Sequence, residues 1–215
     1  MRLFLASLLS ALALPAWGCR LALVLAVDIS NSVEGKEYAL QVEGIAEALA
    51  DPEVTAGLVR AQAMVTVLFW SGPQSHYVVI PWRAIGTPTD VARLSEEARA
   101  LRRVYPQSTT GLASGVAFAR GLFDDVPQCR ARTIDVSGDG PDNTRGDVEF
   151  ERAEAESLGI TINGLAVEGL DRDVTGYFRD TLITRNGFVM TAKDHRTYGE
   201  TLKRKMRREV AEAMM

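Results

Sequence analysis

Asp28 stands where an unbroken apolar run, LALVLAV over 21–27, stops, and Ser30 and Ser32 follow it at alternate positions. In extended backbone alternate side chains point to one side, so one carboxylate and two hydroxyls can converge there. A second aspartate, Asp139, follows the stretch 132–137 and is flanked by Gly138 and Gly140, which allow the backbone to turn sharply. Ser108, Thr109 and Thr110 precede Gly111 and add further hydroxyls. Two carboxylates with several hydroxyls make a hard, all-oxygen donor set, the kind that holds magnesium or manganese. The expected metal ligands are Asp28, Ser30, Ser32 and Asp139, with one further hydroxyl from Ser108, Thr109 or Thr110, and with Asp142 and Asn143 as rim candidates. The plainer alternative is that these residues only cap helices and that Pro141-Asp142-Asn143 is a solvated turn. The coincidence of both serines with two strand-end aspartates favours the metal.

For these loops to meet, two strands must lie side by side and end at the same edge of a sheet. The run 21–27 is continuously apolar, as a strand covered on both faces requires. A helix beginning near Ser32 follows, with Tyr38, Val42, Ile45 and Leu49 at helical spacing and Pro52 after its end. Residues 64–70 (MVTVLFW) read as a strand, 71–74 as a turn, and 77–82 as its antiparallel partner. The partner is placed at the edge because Pro81 cannot donate within a central ladder. Helices are predicted over 89–103 and 111–123, then a strand over 132–137, a helix over 149–158 and a strand over 160–167. A helix over 174–183, a short strand over 187–191 and an amphipathic helix over 194–214 complete the chain. Strands alternating with helices predict one doubly wound α/β domain, with a mostly parallel sheet, helices on both faces and one antiparallel edge strand. Ligands of such sheets bind beyond the carboxyl ends of the strands, where Asp28 and Asp139 fall.

The pattern Asp28-x-Ser30-x-Ser32 after an apolar first strand, a hydroxyl residue three before a helix-opening glycine, and Asp139-Gly140 after a later strand resembles the metal-ion-dependent adhesion site of von Willebrand factor type A domains. The likeness covers nearly all of the chain in element order. The phrases Asp28-Ile29-Ser30-Asn31-Ser32-Val33, Val79-Ile80-Pro81-Trp82, Ile134-Asp135-Val136-Ser137-Gly138-Asp139-Gly140 and Ile162-Asn163-Gly164-Leu165 are similar to an exported, uncharacterised bacterial branch of that superfamily. The resemblance implies a Rossmann-like sandwich with a magnesium or manganese ion at its top. It also implies a protein partner whose acidic side chain completes the shell of the ion. The family's threonine falls on Ser108, where the hydroxyl is kept but the methyl that fixes its rotamer is lost. Thr109 and Thr110 are the neighbouring hydroxyls able to substitute.

The first eighteen residues are built differently. Arg2 precedes an apolar run from Leu3 to Leu14, and Pro15-Ala16-Trp17-Gly18 ends at Cys19. That is the build of a cleavable signal peptide, shorter than the ~20 apolar residues that span a bilayer. Residues 1–18 are therefore expected to be removed and 19–215 to form the domain, in the periplasm or outside the cell. Retention as an anchor and lipidation of Cys19 are the competing readings. Cys19 and Cys129 are the two cysteines of the chain, lying nine residues before Asp28 and ten before Asp139. In an oxidising compartment that spacing predicts a disulfide between two parallel neighbours; the alternative is two free buried thiols. The net charge of -4 gives no basic field for nucleic acid, and no membrane contact is expected after signal cleavage.

Other residues attract plainer readings. Asp135, inside an apolar strand, needs a partner, with Arg130 and Arg132 as candidates. Trp70 and Trp82 read as packing residues, and His76 and His195 as ordinary surface or loop residues. The basic run 203–208 reads as a solvated helix face, because Glu200, Glu209 and Glu212 accompany it. The expected function is a metal-dependent protein-binding module and not an enzyme. The alternatives are a metal-free interaction domain and a phosphohydrolase resembling the haloacid-dehalogenase type. Against the latter, its general-acid position holds Ser30, a hydroxyl that cannot do that work near neutral pH.

Overall fold

The computed structural model describes residues 18–103, 108–169 and 173–215. The expected leader, apart from Gly18, lies outside the described residues. The elements run β1 (Leu21–Asp28), α1 (Gly35–Leu49), α2 (Pro52–Ala61), β2 (Met64–Trp70), β3 (His76–Ala84), α3 (Pro88–Arg99) and α4 (Leu112–Gly121). They continue with β4 (Ala131–Gly138), α5 (Val148–Ser157), β5 (Ile160–Val167), α6 (Val174–Tyr177), β6 (Val189–Ala192) and α7 (Tyr198–Glu212). One six-stranded sheet has the order β3-β2-β1-β4-β5-β6. Among the described residues only the β2–β3 pair is antiparallel, at the sheet edge, as Pro81 requires.

All eight residues of β1 are buried, because helices cover both faces of the sheet. Leu21, Leu23, Leu25 and Val27 face the layer of α1, α2, α3 and α7, while Ala22, Val24 and Ala26 face α4, α5 and α6. Each fully buried leucine or valine contributes about 1.5–3 kcal/mol, and the pleat divides that contribution between two cores. Small residues set the closest approach between layers. A Cβ on Gly44 of α1 would stand 2.7 Å from Gly199 Cα of α7, so these two helices meet backbone to backbone.

One helix was not anticipated. Pro52, read as the end of α1, is the first residue of α2. Asp51 caps that helix, accepting hydrogen bonds from the Glu53 and Val54 amides at 3.1 and 3.2 Å. Proline lacks the amide that a first-turn position leaves unpaired anyway, so Asp-Pro here starts a second helix. The predicted start of α1 near Ser32 also moves, to Gly35 after a Glu34 cap, which leaves Ser32 in the loop.

The solvated basic face expected of the last helix is only partly present. Lys205 and Glu209 are buried, and Lys205 Nζ lies 2.7 Å from Asp135 Oδ1 and 2.6 Å from Glu209 Oε1. Asn163 Nδ2 donates to Glu209 Oε1 at 2.8 Å. The partner of Asp135 is thus Lys205, not Arg130 or Arg132. Arg207 reaches across to the cap of α2, with Nη2 2.6 Å from Asp51 Oδ2. His195, expected to be an ordinary surface or loop residue, is buried with Nδ1 3.2 Å from Glu37 Oε1. His76 is half-buried, its Nε2 3.2 Å from Ser114 Oγ and its ring stacked on Phe118 at 5.0 Å.

Cys19 and Cys129 form a disulfide with a Cα–Cα distance of 4.6 Å and a sequence separation of 110. It joins the amino ends of β1 and β4, the edge opposite Asp28 and Asp139. Backbone bonds from Arg130 to Cys19 and from Ala131 to Arg20, at 3.1 and 2.9 Å, continue the ladder beside it. With its sulfur in this bond, Cys19 is not free to carry a lipid thioether.

Candidate metal centre

The β1–β4 pairing brings the two aspartates together. Val27 is opposite Ser137 in parallel register, so Asp28 and Asp139 leave adjacent strands at the same edge. Asp28 is fully buried. Its Oδ1 accepts the Ser30 amide at 2.7 Å, which bends the chain back over the strand end. Among the described residues its buried Oδ2 has no hydrogen-bond partner, although the Ser30 hydroxyl and the Asp139 amide come close enough to the carboxyl to draw its pKa down. Burial, then the neighbouring Asp139, pushes the Asp28 carboxyl up to about 7. Gly138 makes room for this group, since a Cβ there would stand 3.3 Å from Asp28 Oδ2.

Beside Asp28 a chain of hydroxyls runs from Thr110 to Asp139. Thr110 Oγ1 donates to Ser30 Oγ at 3.3 Å, Ser30 and Ser32 hydroxyls meet at 3.1 Å, and Ser32 Oγ donates to Asp139 Oδ1 at 2.6 Å. The carboxylate at the end fixes the direction of the chain. Ser32 gives its proton to Asp139 and so accepts from Ser30, which in turn accepts from Thr110. Each hydroxyl oxygen keeps a lone pair for another positive centre.

Of the hydroxyls in the loop before α4, that of Thr110 reaches Ser30. The Ser108 side chain turns toward Gly72, its Oγ 2.5 Å from where a Cβ on that glycine would stand. The Ser108 backbone braces the site instead, accepting from the Asn31 amide at 2.9 Å and donating to Ser71 Oγ at 3.1 Å. Thr109 also contacts this turn, its carbonyl accepting from Ser71 Oγ at 3.3 Å.

Asp142 and Asn143, the rim candidates, work on the loops. Asn143 Oδ1 accepts the Thr110 amide at 2.9 Å, and the Asn143 amide donates back to the Thr110 carbonyl at 3.0 Å. Asp142 accepts from the amides of Ala113, Thr144 and Gly146 at 3.0, 2.8 and 3.1 Å. These two side chains clamp the loop after β4 onto the start of α4, and so fix where Thr110 points. The sequence carried no signal for this pairing beyond their nearness to Asp139. It also missed Tyr198, whose hydroxyl lies 3.2 Å from Ser137 Oγ, two residues before Asp139.

Among the described residues no group of three or more histidine, cysteine, aspartate or glutamate side chains could hold a metal ion. A site here would rest on two carboxylates and three hydroxyls. That donor set fits a hard divalent cation. The unpartnered Asp28 Oδ2, buried within the field of a second carboxylate, is what such an ion would compensate.

Residues 18–214 match the model of a family described as "Protein of unknown function (DUF1194)". No curated protein matches. Among solved structures, proximal thread matrix protein 1 from the mussel byssus is similar with a TM-score of 0.67 at 14% identity, over 89% of this chain and 47% of that one. The pilus adhesin SpaC from Lactobacillus rhamnosus GG gives 0.65 at 12%, over 89% and 30%. The vWF domain of the type V pili tip protein Mfa5 from Porphyromonas gingivalis gives 0.64 at 11%, over 92% and 97%. The chain thus spans less than half of the mussel protein and of the pilus adhesin, and nearly all of the Mfa5 domain. A further structure of the mussel protein has a zinc-occupied MIDAS motif. At these identities the likeness shows the fold, that of von Willebrand factor type A domains.

Proposed function

The chain belongs to the DUF1194 family of proteins of unknown function, and we propose that it is an exported, metal-dependent protein-binding module. Residues 1–18 act as the leader and 19–215 as the binding domain. Asp28, Ser30, Ser32, Thr110 and Asp139 hold one magnesium or manganese ion. When bound, the ion supplies a positive pole that an acidic side chain of a protein partner completes.

The observation that carries this reading is Asp28 Oδ2, a buried carboxylate oxygen without a partner beside a hydroxyl chain that ends on a second carboxylate. Helix capping accounts for Asp28 Oδ1 but leaves Oδ2 unexplained. The disulfide supports export, since such bonds persist in oxidising compartments. A binding role is favoured over a phosphohydrolase because the position two after Asp28 holds a hydroxyl already engaged with Ser32 and Thr110. The kinship with pilus and byssus proteins is compatible with an adhesive role.

Calorimetric titration of the purified domain with Mn2+ and Mg2+ tests the reading. One ion per chain is expected for the natural protein and none for Asp139→Ala. A natural protein that takes up no ion, and whose melting temperature is the same with and without chelator, sinks it. A pull-down from the exported fraction with and without chelator then identifies the partner.

A further inference from the structure

A cleft of about 620 Å3 opens beside the candidate metal centre, starting at Ser32 and Asp139. It runs past the carboxyl ends of β5 and β6 to the turn before α7. Among the described residues, the charged groups that face it are, with one exception, already engaged. Glu37 Oε1 lies 3.2 Å from His195 Nδ1. Asp194 Oδ2 accepts from Arg196 Nε at 2.8 Å, and its Oδ1 accepts the Thr197 amide at 3.1 Å. Glu168 closes the start of α6, accepting the amides of Val174 and Thr175 at 3.2 and 2.9 Å. Asp139 receives the Ser32 hydroxyl.

The exception is Lys193. It is the first residue after β6, is exposed, and lines the cleft. Among the described residues it has no hydrogen bond or ion pair. The acids of the cleft are hydrogen-bonded or ion-paired within the protein, Glu168 and Asp139 by neutral donors, which leaves an ammonium facing the opening. With a cation held at Asp139, the cleft would offer two positive groups, the ion and Lys193.

The geometry points to Lys193 as a second anchor for the partner, so that the cleft selects an acidic protein segment bearing two carboxylates, one for the ion and one for the Lys193 ammonium. This rests on the metal-binding reading of the same site. It adds a partner class, since a segment with a single carboxylate satisfies the ion alone. Charge arranged in this way contributes more to selectivity and association rate than to raw affinity.

The test uses the domain loaded with Mn2+ and two labelled peptides, hexaglutamate and an otherwise glycine-serine hexapeptide with one glutamate. Fluorescence anisotropy gives peptide affinity and calorimetry gives Mn2+ affinity, for the natural protein, Lys193→Glu and Lys193→Arg. Hexaglutamate is expected to bind the natural protein and Lys193→Arg about equally. It should bind Lys193→Glu about tenfold more weakly, close to the single-glutamate peptide, because the substitution turns the exposed cation into a repelling anion. Mn2+ uptake should be the same in all three. Equal hexaglutamate affinity in Lys193→Glu overturns the second anchor while leaving the metal site standing. So does Mn2+ uptake without any hexaglutamate binding. Failure of the natural protein to take up Mn2+ overturns the metal site, and this inference with it.

Discussion

Lys205 Nζ lies 2.7 Å from Asp135 Oδ1, and this buried pair ties the last helix to a central strand. Glu209 shares the lysine, so two carboxylates face one ammonium, and one oxygen of each, Asp135 Oδ2 and Glu209 Oε2, is buried without a partner. Burial, then the charge of Asp135, pushes the Glu209 carboxyl from 4.5 up to about 8. In the folded chain this carboxyl therefore keeps a proton to a higher pH than a free glutamate does.

That proton gives stability a definite pH dependence. Between 4.5 and about 8 the folded chain holds a proton that the unfolded chain has released, so stability falls as pH rises through this window. Glu209→Gln mimics the protonated form. Its melting temperature is expected to stay near that of the natural protein at pH 5 and to exceed it at pH 9. A natural protein that instead gains stability from pH 5 to pH 9 through this residue contradicts the assignment. Lys205→Met, which leaves two acids buried without their cation, should cost about 3–5 kcal/mol, read by urea unfolding.

Gly44→Ala forces α1 away from α7, because the new methyl would stand 2.7 Å from Gly199 Cα, a backbone atom that cannot step aside. The expected loss is about 1–3 kcal/mol, or about 2–4 °C in melting temperature per kcal/mol for a domain of this size. Gly35→Ala, on the same helix with nothing within 4 Å of the new atom, is the control and should leave stability unchanged or slightly raised. Equal melting curves for the two variants would show that the helices do not pack this closely.

Cys129→Ser releases a loop of 110 residues. By chain entropy the loss is about 4–5 kcal/mol, measured as a lower denaturant midpoint, with dithiothreitol producing the same shift in the natural protein. Because the bond lies at the edge opposite Asp28, Mn2+ affinity well below the melting temperature should be unaffected. Lost Mn2+ uptake in a folded variant would show that the two ends are coupled.

The elements were legible where pattern and burial agree. The run 21–27 is apolar throughout because β1 is covered on both sides, and Pro81 marked the edge strand because its missing amide can only face outward. Pro52 misled because one residue type both ends and begins helices, and only the Asp51 cap separates the two uses. Asp135 could be seen to need a partner, but Lys205 lies seventy residues on, hidden in a run whose neighbours are solvated. Ser108 and Thr110 differ in sequence only by two positions. Which of them turns inward is settled by Asn143 and Gly72, contacts that no local pattern encodes.

Thr110 therefore gives the sharpest test of the candidate centre. Thr110→Val keeps the shape and buried methyl but removes the hydroxyl that starts the chain toward Ser30, Ser32 and Asp139. It should lower Mn2+ affinity by about tenfold or more in calorimetry while the circular dichroism spectrum stays native. Ser108→Ala removes a hydroxyl that faces Gly72 and should leave Mn2+ affinity unchanged. Asn143→Ala keeps every ligand but frees the Thr110 backbone, so its effect should fall between the two. The reverse order, with Ser108→Ala abolishing uptake and Thr110→Val tolerated, would mean that the loop before α4 turns over when the ion binds and that Ser108 supplies the hydroxyl.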